Sequence, residues 1–285
     1  MHEAKPSILR QLGACVYAHM SAWLHSPRTI VMGVIILLYT YMHAVSFEHT
    51  LSIYEHTVHA GEMVFWYLNS GFNVVMTSTF MLIMVSEIPK RIVFQNSMLV
   101  RVSRGRWIAS LVIFCVFVVL LMLLLMTVFC AFLSLPYTTH GEGWSDLERL
   151  AENPDYQYEK QFAPVYIRVL TPIQASICAA LVLFFFWFTM MLVILTCSII
   201  GFPNAGLLIY MFILQFALTF RFEIVPGMRT PIHYATLNNV SLQFGDRELA
   251  ALPMVIAVYL AIDAVLIFIM VLRVRYADLC FSGKE

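Results

Sequence analysis

Six apolar runs, each near or above the length that crosses a bilayer, constrain this chain more than any other feature. A helix spanning about 30 Å of hydrocarbon needs roughly 20 apolar residues. The runs occupy 29–45, 63–85, 107–135, 165–200, 205–220 and 251–272. Of the 285 residues, 61% are hydrophobic and 12% charged, and the mean hydropathy is +0.81, far above an ordinary soluble domain. The pattern predicts an all-α integral membrane protein with six transmembrane helices in a single domain over 1–285. The third and fourth runs exceed what the bilayer needs and should tilt or continue beyond it as helix. The stretch Gly201-Phe202-Pro203-Asn204 before the fifth run reads as a tight turn.

Charge then sets orientation. Lys5, Arg10 and Arg28 precede the first run, and Lys90, Arg91, Arg101, Arg104 and Arg106 separate the second from the third. Arg273, Arg275 and Lys284 follow the last. The alternate loops are acidic: Glu48, Glu55 and Glu62 in one, and Glu142, Asp146, Glu148, Glu152, Asp155 and Glu159 in the next. Because basic residues stay on the cytoplasmic side, both termini and the 86–106 segment are expected inside, in a multi-pass protein of the cell membrane. The stretches 136–164 and 221–252 become outer loops. The first residues carry charge and no early apolar core, so no cleaved signal peptide is expected. None of the six cysteines falls in an outer loop, so no disulfide is expected. Nothing in the composition points to a nucleic-acid partner.

Residues 6–25 set Leu9, Leu12, Val16, Met20 and Trp23 at steps of three or four, with Arg10, Gln11, His19 and Ser21 on other faces. This suits an N-terminal amphipathic helix lying in the membrane interface; a cytoplasmic helix leaning on a soluble partner is the other reading. In the outer loop 136–164, Ser145 and Glu148 have capping-box spacing and Pro154 follows, which predicts a short surface helix. The outer loop 221–252 mixes apolar and polar residues with repeated prolines. It either dips into the outer membrane face or extends over it, since irregular backbone survives at depth only where protein or water satisfies it.

Several chemistries have no motif here. The chain lacks a phosphate loop, a serine-nucleophile elbow and a His-Glu-x-x-His helix, so it is not expected to be an enzyme or to bind a cofactor itself. His49, His56 and His59 sit among Glu48, Glu55 and Glu62, a set that could ligate zinc or copper or simply form a polar outer loop. Within the spans, Asn69 and Asn73 fall one turn apart on one helical face, beside Thr77 and Thr79. That face meets another helix or an aqueous path. Asp263 falls in mid-span, where a carboxylate costs several kcal/mol unless paired or hydrated, and is either a helix-helix hydrogen bond or part of a translocation path. His43 and Glu62 come near the outer boundary and carry little functional weight. The run Leu183 to Leu192, LFFFWFTMML, suits packing and lipid contact, or a greasy path for amphipathic cargo.

Taken together, the amphipathic segment 6–25, six spans with both ends inside, and SEIPKRIVFQNSMLVRVSRGRWIASLVIF after the second span resemble the membrane subunit of a type-2 ABC transporter of the bacterial exporter class. The resemblance covers nearly the whole chain and rests on architecture and on one loop: an acid, Glu87, a helix over 88–100, then a basic Ser-Arg stretch, Arg101 to Trp107. It implies a cytoplasmic coupling helix between the second and third spans that docks on a separate ATPase subunit. By position, Glu87, Ile88, Arg91, Phe94, Gln95, Met98 and Arg101 would make that contact. ATP and Mg would belong to the partner ATPase, and a second permease copy or a homologous chain would complete the path within the lipid bilayer. The alternative from another class is a stand-alone membrane sensor, immunity or metal-responsive protein that uses the outer His/Glu cluster.

Overall fold

The structure, a computed structural model, describes residues 8–54, 58–59, 61–86, 103–139, 143–145, 169–219, 231–237, 240–241 and 250–276. Its helices are α1 (Ile8–Leu24), α2 (Pro27–Tyr54), α3 (Glu62–Asn69), α4 (Gly71–Val85), α5 (Arg104–Ser134), α6 (Pro172–Ile200), α7 (Ala205–Thr219) and α8 (Leu252–Tyr276). Two-residue strands form two parallel pairs, β1 (Val58–His59) with β2 (Thr138–Thr139) and β3 (Val240–Ser241) with β4 (Ala250–Ala251).

The chain runs up and down. Arg28 at the start of α2 donates to Ser86 at the end of α4, and Arg104 at the start of α5 donates to the last turn of α8, so these termini share one end. At the other end β1 pairs with β2, and the Ser176 hydroxyl near the start of α6 donates to Gly61 O. The first end gathers Arg28, Arg104, Arg106, Arg273 and Arg275, while Glu62 is held at the opposite end. Among the described residues these arginines and Glu62 thus lie at opposite ends of the bundle.

α2, α5, α6 and α8 are each long and apolar enough to cross a membrane, and α3 with α4 makes a fifth crossing if the bent pair counts as one span. The remaining expected span is α7, whose 15 residues reach only about 22 Å. α5 has 31 residues and rises about 46 Å, so it outruns the hydrocarbon. The fourth span starts later than its hydropathy indicates. Thr171 caps α6 in a reciprocal box with Gln174, with Pro172 in the first turn, where its missing N–H costs nothing.

α6 is the central post. It packs against α8, α3, α7 and α5, and Leu183, Phe186, Trp187 and Leu192 are all at most 1% exposed. Lipid tails are as apolar as these side chains, so close packing and internal hydrogen bonds, rather than exclusion of water, hold such helices together. The Trp187 indole N–H donates to Ser78 Oγ at 2.8 Å, and the Tyr210 hydroxyl donates to Ser78 O at 3.3 Å, joining α6 and α7 to α4. The turn between α6 and α7 uses Gly201 at φ +111°, a left-handed helix cap that glycine adopts without strain. Beyond it, Gly206 lets the two helices touch: a Cβ there would fall 2.6 Å from Ile194 Cα.

The second span differs from the expected straight helix over 63–85. It breaks at Ser70, whose φ of −71° and ψ of 120° are extended, and α3 and α4 meet at 71°. All eight residues of α3 are buried. A helix buried on every side is one that protein surrounds, and α3 packs against α6, α5 and α2.

Of the 221–252 stretch expected as an outer loop, residues 231–237, 240–241 and 250–252 are described. Residues 231–237 form a 3-10 turn packed against α6, α7 and α4, with Ile232, Ala235 and Leu237 fully buried. Most of the 136–164 loop, including the helix expected after Ser145, lies outside the described residues.

Candidate functional site

The seven candidate coupling residues, Glu87, Ile88, Arg91, Phe94, Gln95, Met98 and Arg101, lie outside the described residues. What is described is how the chain enters and leaves that segment. On entry, the Ser86 hydroxyl closes α4 by donating to Ile83 O at 2.7 Å and accepts from Arg28 Nη1 at 3.3 Å. On exit, Arg104 Nη1 donates to Val274 O at 3.1 Å and Arg275 O at 3.2 Å. These carbonyls close the last turn of α8, where a cation also offsets the helix dipole. Two residues later, Arg106 Nη1 donates to Gln11 Oε1 of α1 at 2.6 Å.

α1 lies along the first turns of α5. Its buried face is Cys15, His19 and Trp23, and Trp23 meets Phe114 edge-on with ring centroids 6.3 Å apart. This corrects the expected face. His19 turns inward, its ring 5.8 Å from that of Phe114 and its Nε2 3.4 Å from Ser110 Oγ, whereas Leu9 is 80% exposed. Burial penalises the imidazolium and holds the His19 pKa below its ordinary 6.5. The face turned away from α5 carries Leu9, Arg10 and Tyr17.

The helix break also separates Asn69 from Asn73, which an unbroken helix would have kept on one face. Asn69 ends α3, and its Oδ1 accepts the Leu237 N–H at 2.8 Å, tying the break to the inserted 231–237 turn. Asn73 sits in α4, where its Oδ1 accepts from the Tyr39 hydroxyl at 2.7 Å. Its amide donates to Tyr67 O at 3.2 Å, a carbonyl in the last turn of α3, and lies 3.3 Å from His43 Nδ1. Thr40 completes the cluster, its hydroxyl 2.8 Å from Ile36 O and 2.9 Å from Tyr67 Oη. Asp263 is 3% exposed, and its Oδ1 accepts from Thr189 of α6 at 2.7 Å. All three path candidates thus make hydrogen bonds between elements of this chain.

At the acidic end stands Glu62, which the sequence placed near the outer boundary with little functional weight. It is fully buried, and its carboxylate accepts both the Ser145 hydroxyl, at 2.7 Å, and the Ser145 N–H. His59 Nδ1 lies 2.8 Å from Gly143 O and 4.0 Å from Glu62 Oε1. His49 is exposed near the end of α2, and His56 lies outside the described residues. Among the described residues no three His, Cys, Asp or Glu side chains converge as a metal site. His43, given the same boundary reading, instead lies beside Asn73 in the cluster at the helix break. Glu62 had no local signal, because its partner stands 83 residues away; His43 did have one, lying one turn from Tyr39 on α2.

A bundle of apolar helices of crossing length, basic at one end and with a buried acid at the other, defines a multi-pass membrane protein. Comparison with known protein families, characterised proteins and solved structures finds no match to this chain.

Proposed function

We propose that this chain is the permease subunit of a type-2 ABC transporter of the exporter class. The basic end faces the cytoplasm of a cell whose plasma membrane the chain spans, with both termini inside. α1 lies in the inner interface, and the 86–106 segment meets a separate ATPase subunit that holds ATP and Mg. Two copies, or this chain and a similar one, enclose the path for an amphipathic substrate such as a peptide, antibiotic or lipid.

The observation that carries this reading is the anchoring of both ends of the segment. Ser86 is tied to α2 through Arg28, and Arg104 to α8, while Arg106 adds α1. Force applied to residues 87–101 by a closing ATPase pair therefore reaches α4, α5 and α8 together. The break at Ser70 places a joint between α4 and the buried α3, so a displacement of α4 need not carry α3 with it. Cargo sets direction through its different affinity for the inward and outward states.

Charge reversal at the segment tests the assignment. Glu87→Arg and Arg91→Glu leave the protein inserted but weaken ATPase docking or release ATP hydrolysis from transport. Unchanged assembly and transport in both variants would reject it.

A further inference from the structure

Asp263 stands near the middle of α8, about 16 Å from the first residue of the helix and about 20 Å from the last. It is 3% exposed, and its two carboxyl oxygens are held differently. Oδ1 accepts the Thr189 hydroxyl of α6, whereas Oδ2 is buried with no hydrogen-bond partner among the described residues. A carboxylate accepts through both oxygens and seeks a counter-charge, so one hydrogen bond does not satisfy it inside a bilayer.

No counter-charge stands at this level among the described residues. α8 packs against α6, α5 and the β3–β4 pair. Of these, α6, β3 and β4 carry no charged side chain, and the arginines of α5 and α8 (Arg104, Arg106, Arg273 and Arg275) gather at the basic end, about 15 Å or more along α8 from the acid. The remaining titratable groups are phenols and thiols. Tyr259 lies one turn away on α8, with Tyr234 of the 231–237 turn beside it. On α5 the fully buried Cys115 is as far from Arg104 as Asp263 is from Val274, and on α6 Cys178 and Cys197 are each more than two turns from Thr189. A metal ion needs about six oxygens, and this site offers the side chains of Asp263 and Thr189 alone. A proton needs one, and Oδ2 supplies it.

We propose that Asp263 is a proton-binding site: Oδ2 carries an exchangeable proton, and giving it up loosens the packing of α8 on α6. The proton reaches the site from the acidic end. Tyr259 and Asp263 share one face of α8 a turn apart, and the Tyr259 hydroxyl donates to the carbonyl of the exposed Pro231 at 3.0 Å. With the proton bound, the carboxyl is neutral and the seam stays closed. When the O–H bond breaks and the proton leaves to water, the electron pair stays on Oδ2, and the buried anion must draw in water or part the helices. The seam is therefore tight at low pH and loosens as pH rises. The inference needs the α6–α8 contact and no ATPase, so it and the permease reading can fail separately.

Infrared difference spectroscopy of the full chain in phosphatidylcholine vesicles, between pH 5 and pH 9, tests this on the unmodified protein, Asp263→Asn and Thr189→Val. The unmodified protein should show the carbonyl band of a protonated carboxyl group that is present at pH 5, lost by pH 9 and missing from Asp263→Asn. Because Oδ1 keeps the Thr189 hydroxyl while Oδ2 holds the proton, Thr189→Val should move that band to higher frequency. Amide exchange over 255–270, corrected for intrinsic rates, should rise at least about tenfold across the same range, the factor that one pH unit of linked protonation contributes. Asp263→Asn should remove that rise. The inference is overturned by identical difference spectra in the unmodified protein and Asp263→Asn, by a band that stays in place in Thr189→Val, or by an exchange rise that persists without the acid.

Discussion

Arg104 in the first turn of α5 donates through one guanidinium nitrogen to the carbonyls of Val274 and Arg275 in the last turn of α8, across 170 residues of sequence. The contact joins the exit of the proposed coupling segment to the last crossing helix. Replacing Arg104 with Ala frees those carbonyls, and because the site is partly exposed the cost is modest, about 1 kcal/mol. Thermal unfolding should show a small loss for Arg104→Ala and a smaller one for Arg104→Lys. On the proposed function the larger effect is on coupling: transport per ATP hydrolysed should fall in Arg104→Ala while membrane insertion is unchanged.

Asn73 holds the break in the second span by accepting from Tyr39 and donating to Tyr67 O in the last turn of the buried α3. Side-chain hydrogen bonds inside membranes average about 0.6 kcal/mol each, so Asn73→Leu should cost about 1–2 kcal/mol. Hydrogen exchange at α3 and α4 should rise in that variant. Unchanged protection would mean that packing of α3 alone fixes the bend.

Glu62 fastens the 143–145 turn over the acidic end. Glu62→Ala removes the acceptor of two Ser145 donors and should cost about 2 kcal/mol, whereas Ser145→Ala, which keeps the backbone N–H bond, should cost less. Thermal unfolding of the two variants should show losses that fall in that order.

His19 makes the seating of α1 on α5 pH-dependent. Burial lowers its pKa in the seated state, so the seated state binds fewer protons than the detached one. The contribution is fully present above the ordinary value of 6.5 and is lost as pH falls below it, through the lowered value. Exchange of α1 amides should rise at pH 5 relative to pH 7.5 after correction for intrinsic rates. His19→Phe should remove the difference; a difference that persists would place the titrating group elsewhere.

Hydropathy made the crossing helices legible because in a bilayer almost every lipid-facing or packed residue must be apolar. It did not reveal the bend at Ser70, since composition is the same on both sides of a break. The local signal was Asn69-Ser70-Gly71, a turn-forming triplet inside an apolar run. Thr171-Pro172-Ile173-Gln174 likewise marked the true start of α6. The buried faces were harder to read. Of the apolar stripe assigned to α1, Trp23 does face α5, but Cys15 and His19 are buried beside it, because Ser110 and Phe114 accommodate an imidazole there. Glu62 read as a boundary acid because Ser145, its partner, stands 83 residues away in the chain. Asn69 and Asn73 were rightly singled out as polar residues in a span, but the break gives them separate partners.

The account turns on whether residues 87–101 grip an ATPase. Mild-detergent purification of the tagged protein from its own cells, with mass spectrometry of what accompanies it, tests this most directly. The account predicts a stoichiometric protein bearing a phosphate loop, lost in Arg91→Glu. A chain that purifies alone from cells shown to express such ATPases would contradict it.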